Sequence, residues 1–264
     1  MKVAIIGGGV MGEALLCAAV ERGVFKTPDI VVCEVLEHRR DQLRAEYDVA
    51  VTTDSTEAMT GADVVILSVK PQDIRSVRGS MSNESLLLSI MAGVPIATIR
   101  RDFQHDCIVR VMPNTPVAAN AGMSVWTATE AVSAEQRDLA RGLLGAMGRE
   151  LFVDDERKLD MATAVSGSGP GYVFLFIEAM IEGGVSIGLT RAQASEMVLQ
   201  TVFGSAVFAQ ESGRSASELR AMVTSPAGTT AAGMLELERS AVRAAIIDAI
   251  RAAYDRAREL GEGL

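Results

Sequence analysis

Apolar residues come in short unbroken runs along the first half of the chain and at helical spacing along the second. The runs predict strands at Val3–Ile6, Ile30–Cys33, 49–51, 64–68, 86–90 and 108–111. They are apolar on both faces rather than alternating, as in a parallel sheet covered by helices on each side. Two further runs, 123–126 and 150–153, predict strands around a helix over 133–147, with Ser133 as N-cap and Glu135 in its first turn. This is a doubly wound α/β pattern.

The character changes after Asp154-Asp155-Glu156. From there the periodicity predicts helices over 156–165, 170–187, 191–210, 215–223, 229–238 and 241–260, with no strand. Thr190 caps the third, and Gly188 and Gly213 end helices. The expected domains are therefore 1–154, α/β, and 155–264, all-α. Helices 170–187 and 191–210 are apolar over much of their circumference and must be buried. A domain this small has too little interior for both, which predicts an obligate homo-oligomer.

The first strand runs into Gly7-x-Gly9-x-x-Gly12 and then an apolar helix. In this frame Gly7 makes the tight turn and Gly9 lets the backbone approach a pyrophosphate. Gly12 lets helix and sheet pack closely, and Val10 and Met11 open the helix whose amides face the anion. Strand, turn and helix together predict a Rossmann dinucleotide site. Glu34 closes the second strand about 20 residues past the glycines, where an acid accepts hydrogen bonds from the adenosine ribose. That favours NADH over NADPH. Arg39 and Arg40 follow, either to bend back onto a 2′-phosphate or, the favoured reading, as solvated helix-surface charges.

Composition narrows the partners. The 264 residues are 48% hydrophobic and 4% aromatic, and the net charge of −9 with no basic cluster argues against nucleic acid. Cys17, Cys33 and Cys107 have no metal-ligand spacing; they read as small buried hydrophobes in a reducing compartment. The three closely spaced glycines and Glu13 argue against a signal peptide. Glu178 and Glu182 interrupt the apolar segment 170–189, which argues against a membrane span. The expectation is a cytoplasmic protein, with no metal and no membrane.

Ligands on open α/β sheets sit at the carboxyl ends of strands. There lie Ser68-Val69-Lys70-Pro71-Gln72, Met91-Ala92-Gly93 and Met112-Pro113-Asn114-Thr115-Pro116. Ser68, Val69, Lys70, Pro71, Met91, Ala92, Gly93 and Asn114 are the further cofactor candidates. Lys70 is also a catalytic candidate or a plain surface lysine. Asn114 is an amide beside the reacting atom or part of a rigid turn. In the helical half, 166–171 reads as a small-residue loop opening a helix at Pro170. Ser225-Pro226-Ala227-Gly228-Thr229-Thr230 leads into a helix near Thr229, where amides and hydroxyls converge without a charged side chain. Such a site holds a small carboxylate. Neither His38 nor His105 falls in a motif.

Gly7–Gly12, Ser68–Gln72, Met112–Pro116, Ser166–Phe174 and Ser225–Thr230, in this order and spacing, resemble the pyrroline-5-carboxylate reductase family. The resemblance runs from about residue 3 to 260. It implies an N-terminal Rossmann domain, a C-terminal helical dimerisation domain, and reduction of 1-pyrroline-5-carboxylate to L-proline by NADH or NADPH. It also implies interlocked homodimers, five to a decamer in many members, with substrate between one subunit's cofactor and the partner's loop 225–230. Val10, Met91, Gly171 and Ala227 depart from the usual family residues, and no Asn occurs at 52–56. Within this reading Thr230 hydrogen-bonds the ring nitrogen and relays a proton, while Ser225, Gly228 and Thr229 hold the carboxylate. An imine arrives protonated, so no histidine acid is required. The rivals are a reductase of another cyclic imine, a deazaflavin-dependent reductase, and a non-catalytic dinucleotide-binding regulator.

Overall fold

The computed structural model describes residues 1–262, the last by its backbone only. Eight strands form one sheet: β1 (Val3–Ile6), β2 (Ile30–Cys33), β3 (Ala50–Thr52), β4 (Val64–Leu67), β5 (Leu86–Ser89), β6 (Ile108–Met112), β7 (Gly122–Ala128) and β8 (Gly148–Phe152). Their spatial order is 3-2-1-4-5-6-7-8. The first six strands are parallel, in register Val3↔Ile30 and Val3↔Val64 around β1. β7 runs antiparallel to β6 and parallel to β8, so the sheet is not wholly parallel as the pattern suggested. The link from β6 to β7 is a short 3-10 turn, Thr115–Ala119, which is too short for a crossover.

Alternate residues of each buried strand enter two separate cores. Val3, Ile5, Val64, Ile66, Leu86 and Leu88 face α1 (Val10–Glu21), α2 (Glu37–Tyr47) and α5 (Ala134–Ala146). Ala4, Ile6, Val65, Leu67 and Leu87 face α3 (Ser55–Met59) and α4 (Ile96–Phe103). Most of these side chains are 0–2% exposed. At about 1.5–3 kcal/mol for each fully buried aliphatic side chain, both faces of the sheet are strongly held. Ser133 caps α5 in a capping box with Gln136, as its sequence predicts.

The remaining helices are α6 (Arg157–Ala162), α7 (Gly169–Ser186), α8 (Arg191–Glu211), α9 (Ala216–Met222), α10 (Thr229–Arg239) and α11 (Val242–Glu262). The residues before Pro170, expected as a loop opening the helix 170–187, continue the helical path instead. A π-turn over Thr163–Gly167 joins α6 to α7 in one run, Arg157–Ser186. The chain divides into two compact units, Met1–Ser168 with the chain from Ala253 on, and Gly169–Ala252. The division falls later than the expected boundary at 154/155. Buried Arg110 of β6 reaches Glu156 (2.7 Å) and Asp160 (3.3 Å), and Glu156 Oε1 also accepts from Ile96 N, tying α6 to the sheet.

In the second unit α7 and α8 pack closely at small residues: a Cβ on Gly184 comes within 3.0 Å of Ala194 Cβ. Thr190 caps α8 in a capping box with Gln193, and Gly188 and Gly213 take positive φ at the helix ends. No residue of α7, α9 or α10 is buried within the chain. Phe174, Leu175, Phe203 and Phe208 are all more than half exposed.

Candidate active site

The turn after β1 is built for close packing on one side and open on the other. Gly7 takes φ +106°, and a Cβ there comes within 2.8 Å of the Ser68 backbone. Ser68 Oγ donates to Gly7 O at 2.6 Å, binding the ends of β1 and β4 together. A Cβ on Gly12 lies 2.1 Å from Gly7 O, so only glycine lets α1 approach. By contrast, a Cβ on Gly9 meets nothing within 4 Å. Gly9 is the N-cap of α1 without a side-chain cap, and the amides of Val10, Met11 and Gly12 lack intrahelical acceptors. An open space before free amides, at the crevice between β1 and β4, fits a dinucleotide pyrophosphate.

Glu34 is buried at the end of β2. Its Oε2 accepts from Gly8 N and its Oε1 from Leu36 N, both at 2.9 Å. The two arginines are not solvated surface charges. Arg39 donates to Gly8 O and Glu13, and Arg40 Nη1 to the carbonyls of Glu34 (2.9 Å) and Val35 (2.8 Å). Each finds acceptors at the strand end and the glycine turn, which the helical pattern of α2 alone does not reveal.

Lys70 is exposed and leads into a 3-10 turn, Pro71–Ser76, and among the described residues its ammonium makes no ion pair. Val69 and Pro71 beside it are half-buried. Met91, expected at the cofactor, is 2% exposed and packs its side chain into the second core. Ala92 is half-buried. Gly93 has φ +73°, and a Cβ there comes within 3.3 Å of Leu260 Cβ, so the end of α11 packs on this loop.

Asn114 is bonded at both ends of its amide. Oδ1 accepts from Met123 N at 2.8 Å, and Nδ2 donates to Ser166 O and Oγ at 3.3 Å. Pro170, four residues after Ser166, has no N–H to offer that carbonyl, and Asn114 takes its place. Met112 Cε lies 2.5 Å from where a Cβ on Gly167 would stand. The loop after β6 and the π-turn are therefore interlocked, a contact that neither segment signals on its own. Of the two histidines, His105 is buried with Nε2 2.7 Å from Ser85 O, a structural bond. Only Cys33 of the three cysteines is buried; Cys17 and Cys107 are half-buried.

In the second unit, Ser225 Oγ folds over Gly228, 2.4 Å from where a Cβ would stand, and Gly228 N donates to Ser225 O at 3.0 Å. Ala227 takes φ +57° to make the turn. Gly228 is the N-cap of α10 with no side-chain cap, which leaves the amides of Thr229, Thr230 and Ala231 unpaired within the helix. Ser225, Thr229 and Thr230 are exposed.

A glycine-turn Rossmann unit followed by a helical unit that leaves its apolar faces open places the chain among the dinucleotide-dependent oxidoreductases. Residues 156–260 match the family model described as pyrroline-5-carboxylate reductase dimerisation, and residues 2–93 match NADP oxidoreductase coenzyme F420-dependent. The chain is 42% identical over 265 residues to a pyrroline-5-carboxylate reductase of Synechocystis, covering 99% of each. It is 39% identical to that of Pseudomonas aeruginosa, covering 100% of this chain and 98% of the relative. The Coxiella burnetii reductase structure superposes with a TM-score of 0.89 at 34% identity, covering 98% of both chains. The Plasmodium falciparum enzyme, solved with NADP bound, gives 0.88 at 28% identity, covering 99% of this chain and 98% of that one. The chain belongs to the pyrroline-5-carboxylate reductase family.

Proposed function

We propose that this chain reduces 1-pyrroline-5-carboxylate to L-proline at a site completed by a second copy of itself. The carrying observation is the start of α10, where the amides of Thr229, Thr230 and Ala231 lack intrahelical acceptors and Ser225, Thr229 and Thr230 are exposed beside them. Such a cluster holds a carboxylate through dipoles alone. Ser225, Gly228 and Thr229 orient the carboxylate. Thr230 hydrogen-bonds the ring nitrogen and relays the solvent proton that converts the secondary amine product to its ammonium form. The nicotinamide supplies the hydride. The remaining task of the protein is alignment and exclusion of water, because an iminium carbon accepts hydride without a stabilised oxyanion. Lys70 and Ser68 border the cofactor crevice, while Asn114 works through the π-turn rather than through substrate.

Thr230→Ala lowers kcat about 10- to 1000-fold, the range for one positioned polar group, with little change in dinucleotide affinity. A proline-forming assay with the pure enzyme checks this, and an unchanged kcat removes Thr230 from the mechanism.

NADH is the favoured reductant. This reading is supported by a carboxylate, Glu34, at the end of β2, which would repel a 2′-phosphate, and by Arg39 and Arg40 guanidinia that are engaged with the chain. Comparing kcat/KM for NADH and NADPH tests this. The match to the deazaflavin-named model is confined to the dinucleotide half, so the substrate half favours the imine reading. The exposed faces of α7 and α8 are read as the dimer interface rather than a membrane span, and the three free thiols suit the cytoplasm. Sedimentation distinguishes a dimer from a decamer of five dimers.

A further inference from the structure

Gly8 sits in the middle of the glycine turn, and both its peptide groups are held from the α2 side. Its N–H donates to Glu34 Oε2 at 2.9 Å. Its carbonyl accepts twice from Arg39, from Nη2 at 2.7 Å and Nε at 3.2 Å. The same Nη2 lies 2.9 Å from Glu13 Oε2, and Nη1 is 2.6 Å from Gln42 Oε1. The Arg39 and Glu13 side chains are only 17% and 21% exposed. A rigid guanidinium fork makes such simultaneous bonds where a lysine cannot.

This arrangement has an electrostatic consequence. A carbonyl turned toward an anion repels it, and the two Arg39 bonds hold the Gly8 carbonyl on the guanidinium. Glu13, in the first turn of α1, favours the helix but brings a carboxylate beside an anion site. One nitrogen of Arg39 touches both the carbonyl and that carboxylate. We propose that Arg39 is a positioning residue for the dinucleotide pyrophosphate: it fixes the Gly8 peptide and neutralises Glu13. It therefore serves NADH and NADPH alike and is not a 2′-phosphate ligand. The proposal rests on the reading that the glycine turn holds the pyrophosphate, which binding of ADP-ribose to the wild-type enzyme tests separately.

Calorimetric titration of the full-length oligomer with NADH, NADPH and ADP-ribose tests the assignment, with thermal melts of each variant. Arg39→Met should raise all three dissociation constants about tenfold, by leaving Glu13 unpaired and the Gly8 carbonyl free. The double variant Glu13→Gln/Arg39→Met should recover about half of that loss on a logarithmic scale, because the uncompensated carboxylate is gone. Arg39→Lys keeps the charge but not the fork. It should weaken all three ligands less than Arg39→Met, and it carries the test if the methionine variant does not fold. A loss confined to NADPH overturns the proposal in favour of a 2′-phosphate ligand. Unchanged affinities overturn it, and so does an equal loss that removing Glu13 does not relieve.

Discussion

The sheet unit and the helical unit are built from similarly apolar chain yet end in opposite states. In the sheet unit, Val3, Leu15, Ile30, Leu43, Leu87 and Trp126 are fully buried by the chain itself. In the helical unit no residue of α7, α9 or α10 is fully buried, and in α8 only Ala194 and Val198 are. A parallel sheet with helices on both faces closes two cores within one chain. A set of helices apolar around much of their girth cannot do so. The first unit thus closes its own cores, whereas the second leaves apolar faces open over the residues that match a dimerisation domain.

The largest expected effect breaks that second structure. Phe203→Asp places a charge on an α8 face that is 64% exposed in the single chain. If the partner covers it, the cost of burying an unpaired carboxylate splits the dimer, and proline formation falls more than about 100-fold. Ultracentrifugation should report a monomer, while NADH affinity stays near wild type because the glycine turn belongs to the self-sufficient unit. A dimer of unchanged stability would mean that this face is not the interface.

A smaller effect tests how α6 is attached to the sheet unit. Arg110 is buried, with a 6% exposed side chain, whereas its partners Glu156 and Asp160 retain 33% and 24%. Water screens those carboxylates in part, so Arg110→Met should cost about 1–3 kcal/mol rather than the full penalty of breaking a buried pair. Chemical denaturation measures it. Because α6 leads into the π-turn that Asn114 holds, the variant should also slow proline formation more than it weakens NADH. An equal effect on both would show that α6 is merely structural.

The features legible in the sequence are those written in local pattern. Strands apolar on both faces, Thr190 and Ser133 as caps, and Gly188 and Gly213 as helix ends follow from neighbouring residues alone. Strand direction does not: a run such as 123–126 reads the same in either sense, and only the brevity of the link after β6 turns β7 antiparallel. The segment 166–171 reads as a loop because it is rich in Ser and Gly. Its helical path is accompanied by a bond from Asn114, 52 residues earlier, to the Ser166 carbonyl that Pro170 cannot serve. Arg39 reads as a solvated charge because its acceptor, Gly8 O, lies 31 residues back. The site was legible where its chemistry lies in one motif, and hidden where two distant segments share a bond.

The smallest effect is a protection that should not change. Cys33 ends β2 beside Glu34, and burial, then the Glu34 charge, push its thiol up to about 11. Only the thiolate reacts, and at pH 8 about one such thiol in a thousand is ionised, so iodoacetamide should reach Cys33 only when the sheet opens. The half-buried Cys17 and Cys107, also raised above the usual thiol value by burial, should label sooner. The informative comparison is between wild type and Phe203→Asp. If the sheet unit closes its own cores, Cys33 labels equally slowly in the dimer and in the dissociated chain, as mass spectrometry of timed samples would record. Faster labelling in the dissociated chain would show that the two units share stability, and that the sheet unit depends on the dimer after all.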